Sequence, residues 1–214
     1  MIHEALACYR DLPITVRFHN FARHKTCPFD RIEPWVPREG TIYDLGCGHG
    51  LFTLCMAISS PVRKITGVDI SEEKIRIARE ASRRLSNVSF HSADILAGDI
   101  EPCDAITILD VLYLMPLEYI GKIVSKCYRA LKPGGALIIN TTDRRPRWKF
   151  LLAYCQEIAA VKLLRITVGH KLSFHSKDEL CDLLDKAGFA VQSEPIGRGY
   201  LHPHTLLVAG RRRD

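Results

Sequence analysis

The chain has 214 residues, of which 47% are hydrophobic and 25% charged, with a net charge of +6. This length fits a single hydrophobic core, and the composition excludes a disordered chain, a collagen-like fibre and a disulfide-held miniprotein. The positive charge alone does not require nucleic acid: it is densest in RRPRWK (144–149) and the C-terminal RRRD, and elsewhere cations interleave with acids as on a solvated helix face.

The first twenty residues, MIHEALACYRDLPITVRFHN, place charges inside their first apolar stretch. No window holds the run of about 18 apolar residues that a membrane-spanning helix needs, so a cytoplasmic location is expected. Eight cysteines, at 8, 27, 47, 55, 103, 127, 155 and 181, include no C-x-x-C pair and suit reduced, mostly buried thiols. Residues 1–40 read as an N-terminal extension packing on the core. From residue 41, short apolar runs alternate with helical patterns, as in a parallel sheet covered by helices. TIYDL (41–45), KITGVD (64–69), NVSFHSAD (87–94), CDAITILD (103–110) and ALIINTT (136–142) predict five strands. A helix is expected from Gly50 to Ser59. Ser71 can cap the next, with Glu72 and Glu73 in its first turn and Ile75, Ile77, Ala78 and Ala81 as its buried stripe. Pro116 opens a helix that LKPGG (131–135) stops. A long apolar helix is expected from Trp148 to Thr167. SKDE (176–179) forms a capping box for the last helix, which ends at Gly188. FAVQSE (189–194) and TLLVAG (205–210) bring the strands to seven.

The stretch YDLGCGHG (43–50) sets three glycines at alternate positions directly after a strand. A G-x-G-x-x-G turn would suggest a dinucleotide pyrophosphate, but this loop reads G-x-G-x-G, follows Asp44 and has no Walker lysine. An acid there repels phosphate and suits an amino-bearing ligand.

DLGCGHG, GVDIS, SADI, ILDVLYLMP and LKPGG together resemble the successive motifs of class I S-adenosylmethionine-dependent methyltransferases, over residues 41 to about 142 and more weakly to the end. The resemblance implies an α/β fold, a doubly wound, seven-stranded, mostly parallel sheet with the last strand antiparallel, within a domain of residues 41–214. It implies S-adenosyl-L-methionine as cofactor, bound by Asp44, Gly46, Cys47, Gly48, Gly50, Asp69, Ile70, Asp94, Ile95 and Asp110. Gly46 and Gly48 would let the backbone lie against the methionine and ribose, and a Cβ at Gly48 would intrude. Asp69 would accept the ribose hydroxyls, Asp94 the adenine amino group between Ile70 and Ile95, and Asp110 would lie near the methionine amino group. These acids follow successive strands, at the carboxyl edge where open α/β sheets bind ligands. His49 reads as an outward-pointing side chain.

The acceptor is less legible. LDVLYLMP lacks the Asn/Asp-Pro-Pro-Tyr pattern that in resembling families marks methylation of adenine or glutamine, so nucleic acid loses ground; the expected acceptor is small and apolar, and aromatic or lipid-like if residues 147–169 cover it. His170, His175 and Tyr113 are the candidate catalytic groups, joined by His202, His204 and Tyr200. No His/Asp/Glu cluster has ligand spacing, so no metal is expected. RFHNFARHK (17–25) reads first as a solvated helix or loop; the alternative is a lid whose Arg17 or Arg23 meets the cofactor carboxylate. Residues 147–169 read as core packing or a homodimer contact, or else as the helix that covers the acceptor, with Trp148 and Tyr154 at its rim. Three rival functions stand beside small-molecule methylation: an RNA or other nucleic-acid methyltransferase, a non-catalytic binding protein, and aminopropyl transfer.

Overall fold

A computed structural model describes residues 1–143, 147–158 and 173–212, with 153–158 as backbone only. Seven strands form one sheet, β1 (Gly40–Leu45), β2 (Arg63–Asp69), β3 (Val88–Ser92), β4 (Cys103–Leu109), β5 (Leu131–Thr142), β6 (Phe189–Pro195) and β7 (His204–Arg211), in the order β3-β2-β1-β4-β5-β7-β6. β7 runs antiparallel between β5 and β6, and every other pairing is parallel, as expected. The crossover from β3 to β4, past β2 and β1, puts the topological switch between β1 and β4, where such sheets open a ligand crevice.

One face of the sheet is covered by α4 (Leu51–Ser59) and α5 (Glu72–Ala81), the other by α6 (Leu117–Ala130) and α8 (Lys177–Lys186). The α5 cap forms as the sequence suggests: Ser71 Oγ accepts from the Lys74 amide, and Ile75, Ile77, Ala78 and Ala81 are buried. Ser176 and Glu179 make the reciprocal capping box of α8. LKPGG departs from its reading. Residues 131–135 do not merely stop α6; they already belong to β5, with a register shift opposite Cys103 and Ala105. α7 is Arg147–Ile158, and the rest of the helix expected to Thr167 lies outside the described residues. Among the described residues no helix is long and apolar enough to cross a membrane.

The N-terminal residues fold into α1 (Ile2–Ala7), α2 (Ile14–Thr26), α3 (Phe29–Ile32) and a 3-10 turn at Glu33–Trp35. Ala5, Tyr9, Val16, Cys27, Phe29, Ile32 and Val36 join the same buried cluster as α4 and α5. α4 is apolar on all sides because it is enclosed by the sheet below and α1 above. Arg63, wholly buried at the start of β2, fastens the segment that follows α3: its guanidinium donates to Glu33 Oε1 (2.7 Å) and to the carbonyls of Val36 (2.9 Å) and Pro37 (2.6 Å). Burial opposes the Glu33 charge, but hydrogen bonds from Ser59 and Arg63 more than offset it and hold its pKa below the usual carboxylate range.

Candidate functional site

A cleft of about 1330 Å³ opens along the carboxyl edge of the sheet. Strand order arranges what faces it: Asp94 follows β3, Asp69 ends β2, the glycine loop follows β1, Asp110 follows β4, and Thr142 ends β5 near His202, just before β7.

The glycine loop divides its three glycines between protein and cleft. All three have positive φ, a region that favours glycine. A Cβ on Gly46 would run into the Val111 side chain, and one on Gly50 would stand 2.7 Å from the Phe90 ring. One on Gly48 would meet nothing within 4 Å and would project into open space. Gly50 is therefore corrected: it does not line the cleft but forms the left-handed cap of α4 over Phe90. Gly46 and Cys47 do line it, yet the absent side chain of Gly46 serves Val111.

Asp44 lies under the loop with both carboxylate oxygens engaged, Oδ2 by Thr53 Oγ1 (2.6 Å) and Oδ1 by Thr107 Oγ1 (2.7 Å). Burial raises its pKa, and the two hydroxyls partly offset that. These bonds tie β1, α4 and β4 together, and Asp44 also lines the cleft, as expected of it, with one lone pair left on each oxygen. Asp69 Oδ2 accepts from the Gly48 amide and Oδ1 from the Ser71 amide, both at 2.9 Å, leaving one lone pair on each oxygen towards the cleft. Asp94 uses only Oδ1, on the Leu96 amide (2.8 Å), so Oδ2 is unspent. Ile70, 54% exposed, and Ile95 flank this end.

Asp110 is the one residue besides glycine with positive φ (57°) among those described. Its Oδ2 accepts from Arg23 Nη1 at 2.6 Å and its Oδ1 from Asn140 Nδ2 at 2.8 Å. Burial pushes its pKa up, but the Arg23 charge prevails and holds it low; burial works against the Arg23 charge too, and Asp110 more than restores it. Asn140 Nδ2 also approaches His204 Nδ1 (3.1 Å), and His204 Nε2 lies 2.6 Å from the Thr26 carbonyl. Burial keeps His204 neutral, so Nε2 carries its proton and donates to Thr26 while Nδ1 accepts from Asn140.

Thr26 and Arg23 belong to α2, which roofs the cleft with Thr15, Phe18, His19, Asn20, Ala22 and Arg23. The reading of residues 17–25 as a solvated stretch is corrected in part: Arg17, Phe18, Phe21 and Lys25 are exposed, but Asn20, like Val16 before it, is buried, and Arg23 reaches the carboxyl edge of the sheet. The spacing of Val16, Asn20 and Arg23, continued by Cys27, is a helical period that the run of charges masked. His49 is corrected as well. It points inward, its ring 4.7 Å from that of His19, and its buried Nδ1 has no hydrogen-bond partner among the described residues. Burial lowers the pKa of His19 to about 4 and of His49 to about 3.

Of the candidate bases, His170 lies outside the described residues. His175 is not among the residues that line the cleft; its Nε2 is 3.0 Å from the carbonyl of Met115, which does line it. Tyr113 lines the cleft but is buried and stacked on Phe174 (5.1 Å, 9°). His202 lines the cleft, and burial lowers its pKa and keeps it neutral. Leu114, Met115, Pro116 and Tyr119 complete an apolar wall opposite Phe18.

The sequence profile of a family described as "Methyltransferase domain" matches residues 42–135. The chain is 33% identical to the trans-aconitate 2-methyltransferase of Paracidovorax citrulli (strain AAC00-1), over 90% of this chain and 74% of that protein. It is 31% identical to the ubiquinone biosynthesis O-methyltransferase of Xylella fastidiosa (strain 9a5c), over 76% of this chain and 66% of that one. A solved structure of magnesium protoporphyrin IX methyltransferase from Synechocystis PCC 6803, with bound SAH, shares the fold with a TM-score of 0.69 and 19% identity, over 96% of this chain and 91% of that one.

Proposed function

Because the chain belongs to the class I S-adenosylmethionine-dependent methyltransferases, we propose that its cleft serves transfer of a methyl group to an oxygen or nitrogen of a small, largely apolar acceptor. The observation that carries this reading is the order of groups along the sheet edge: acids with unspent lone pairs beside β3 and β2, an open glycine at β1, an ion pair at β4, and an apolar wall with a neutral histidine beyond it.

The residues present fit the cofactor. Asp69 would accept its ribose hydroxyls, Asp94 Oδ2 its adenine amino group between Ile70 and Ile95, and Gly48 leaves room for its backbone approach. The unpartnered Nδ1 of His49 fits a hydroxyl-bearing ligand. Arg23 spends two N–H groups, on Asp110 Oδ2 and the Leu109 carbonyl (3.4 Å), and its remaining donors suit the cofactor's carboxylate. That feature favours the complete cofactor over the decarboxylated one used in aminopropyl transfer. When bound, S-adenosylmethionine supplies an electrophilic methyl group on a sulfonium.

On the acceptor side, His202 is unprotonated at neutral pH and can take the proton that an oxygen or nitrogen nucleophile must lose. Phe18, Tyr113 and Tyr119 give the wall an aromatic character that suits a flat or lipid-like acceptor. The O-methylation in the ubiquinone biosynthesis relative's name favours oxygen as the atom methylated. Nucleic acid is disfavoured, because two of the four described cations of the basic clusters are engaged internally, Lys149 with the Gly197 and Tyr200 carbonyls and Arg211 with those of Tyr128 and Arg129, which leaves only Arg147 and Arg212 exposed among those described. The free thiols of the seven described cysteines suit a reducing compartment, in line with the cytoplasm.

The test is to incubate the purified chain with methyl-labelled S-adenosylmethionine and a cell extract, and to follow the label by mass spectrometry. Label in a small molecule supports the reading and identifies the acceptor. Label in RNA, or cofactor binding with no labelled product, would reject it in favour of the nucleic-acid or the non-catalytic alternative.

A further inference from the structure

Behind the cofactor end of the cleft, the ammonium of Lys126 on α6 donates to three backbone carbonyls of one loop: Ile95 at 2.8 Å, Leu96 at 2.7 Å and Gly98 at 2.6 Å. These bonds spend all three of its N–H groups. The loop starts where β3 ends at Ser92, and its front presents Asp94, Ile95 and Leu96 to the cleft. Its other hydrogen bonds over 94–98 are internal: the Asp94 carboxylate with the Leu96 amide, and the Asp94 carbonyl with the amides of Ala97 and Gly98. Among the described residues, Lys126 is thus the sole hydrogen-bonding link from 94–98 to another element. Ile95 and Leu96 also pack on the apolar cluster beneath, but such contacts are non-directional, so without the Lys126 bonds the turn could tilt as a unit and Asp94 Oδ2 with it. Three charge-assisted bonds from a rigid helix remove that freedom.

We propose that Lys126 is a positioning residue for recognition of the cofactor's purine, holding the loop so that Asp94 Oδ2 stands at the amino edge of the ring. The inference rests on the reading above that Asp94 meets the adenine. Lys126 touches neither cofactor nor acceptor; it acts through the backbone of residues 95–98.

The test compares S-adenosylhomocysteine with S-inosylhomocysteine, which carries a ring carbonyl where adenine carries its amino group, by calorimetry on the full chain. The wild type should prefer the adenosine compound by about tenfold or more, since a carboxylate accepts from the amino group and faces the carbonyl unfavourably. In Lys126→Met, affinity for the adenosine compound should fall about tenfold towards that for the inosine compound, which should change little, with the melting temperature of the ligand-free chain nearly unaltered. Lys126→Gln, which keeps one donor group, should fall between. Unchanged preference in both variants would overturn the role of Lys126 while leaving the adenine reading intact. Equal loss of both ligands together with a lower melting temperature would make Lys126 a stabilising residue only and overturn the proposal. No preference in the wild type would overturn the adenine reading and this inference with it.

Discussion

Replacing the loop glycines one at a time separates space reserved for the protein from space reserved for the ligand. Gly48 and Gly50 have φ of 57° and 81°, so alanine at either carries a left-handed penalty of about 1–2 kcal/mol. At Gly50 the new Cβ also stands 2.7 Å from the Phe90 ring and 3.1 Å from Ala78 Cβ. Overpacking of this kind adds about 1–3 kcal/mol. Gly50→Ala should therefore lose about 2–5 kcal/mol, which in a chain of this length lowers Tm by roughly 4–20 °C. Gly48→Ala meets no protein atom within 4 Å and should show the backbone penalty alone, roughly 2–8 °C. Its methyl group enters the cleft instead, where a crowding cost of about 1–3 kcal/mol weakens cofactor binding roughly 5- to 150-fold. Thermal melts and calorimetry with S-adenosylhomocysteine read the two effects independently. If Gly48→Ala bound the ligand as tightly as the wild type, the loop would not be what the cofactor approaches.

Asp69→Ala should weaken cofactor binding by tenfold or more, because each charge-assisted hydrogen bond to the ribose contributes roughly 1.5–3 kcal/mol; an unchanged calorimetric Kd would remove Asp69 from the site. Arg63→Met should cost about 3–5 kcal/mol in urea denaturation, since it leaves the buried Glu33 carboxylate without its main partner. A loss under about 1 kcal/mol would mean that the N-terminal segment is held by apolar packing alone. Stability should also fall in mild acid through His19 and His49. Their folded pKa values, about 4 and about 3, lie below the ordinary 6.5, so the unfolded chain takes up protons first. The contribution is complete above about pH 6.5 and is lost as pH falls from there towards 4 and 3. Between pH 7 and 5 the Tm of His19→Phe should therefore drop less than that of the wild type, and equal drops would contradict the burial argument.

The sheet was legible in the sequence because each strand is a short apolar run closed by a polar turn, and the caps at Ser71 and Ser176 carry their own local chemistry. The acids at strand ends were legible for the same reason: an aspartate directly after a strand has only the sheet edge to occupy. What stayed hidden depends on contacts between distant segments. Arg23 pairs with a residue 87 positions away, and nothing in RFHNFARHK announces its partner. His49 turns inward because His19 and Tyr9 meet it, Tyr9 through a hydroxyl bonded to its carbonyl at 2.7 Å. Gly46, Gly48 and Gly50 look alike in sequence; only Val111 and Phe90, brought in by other elements, tell them apart. Lys126 lies in an ordinary amphipathic helix, and its three carbonyl partners belong to a loop with no distinguishing composition.

The place of β7 bears on how the chain is made. β7 pairs with β5 through seven registered positions and with β6 through seven more, yet among the described strands it comes last in chain order. Until residues 204–211 emerge, β5 offers an open edge backed by the apolar Leu137, Ile138 and Ile139, and β6 has no strand to join. A nascent chain in that condition carries the unpaired edges that drive strand-to-strand aggregation. Closure of the sheet must therefore wait until residues 204–211 have been made, and a stop codon a few residues before 204 should yield an insoluble product even though every group proposed to hold the cofactor had already been synthesised.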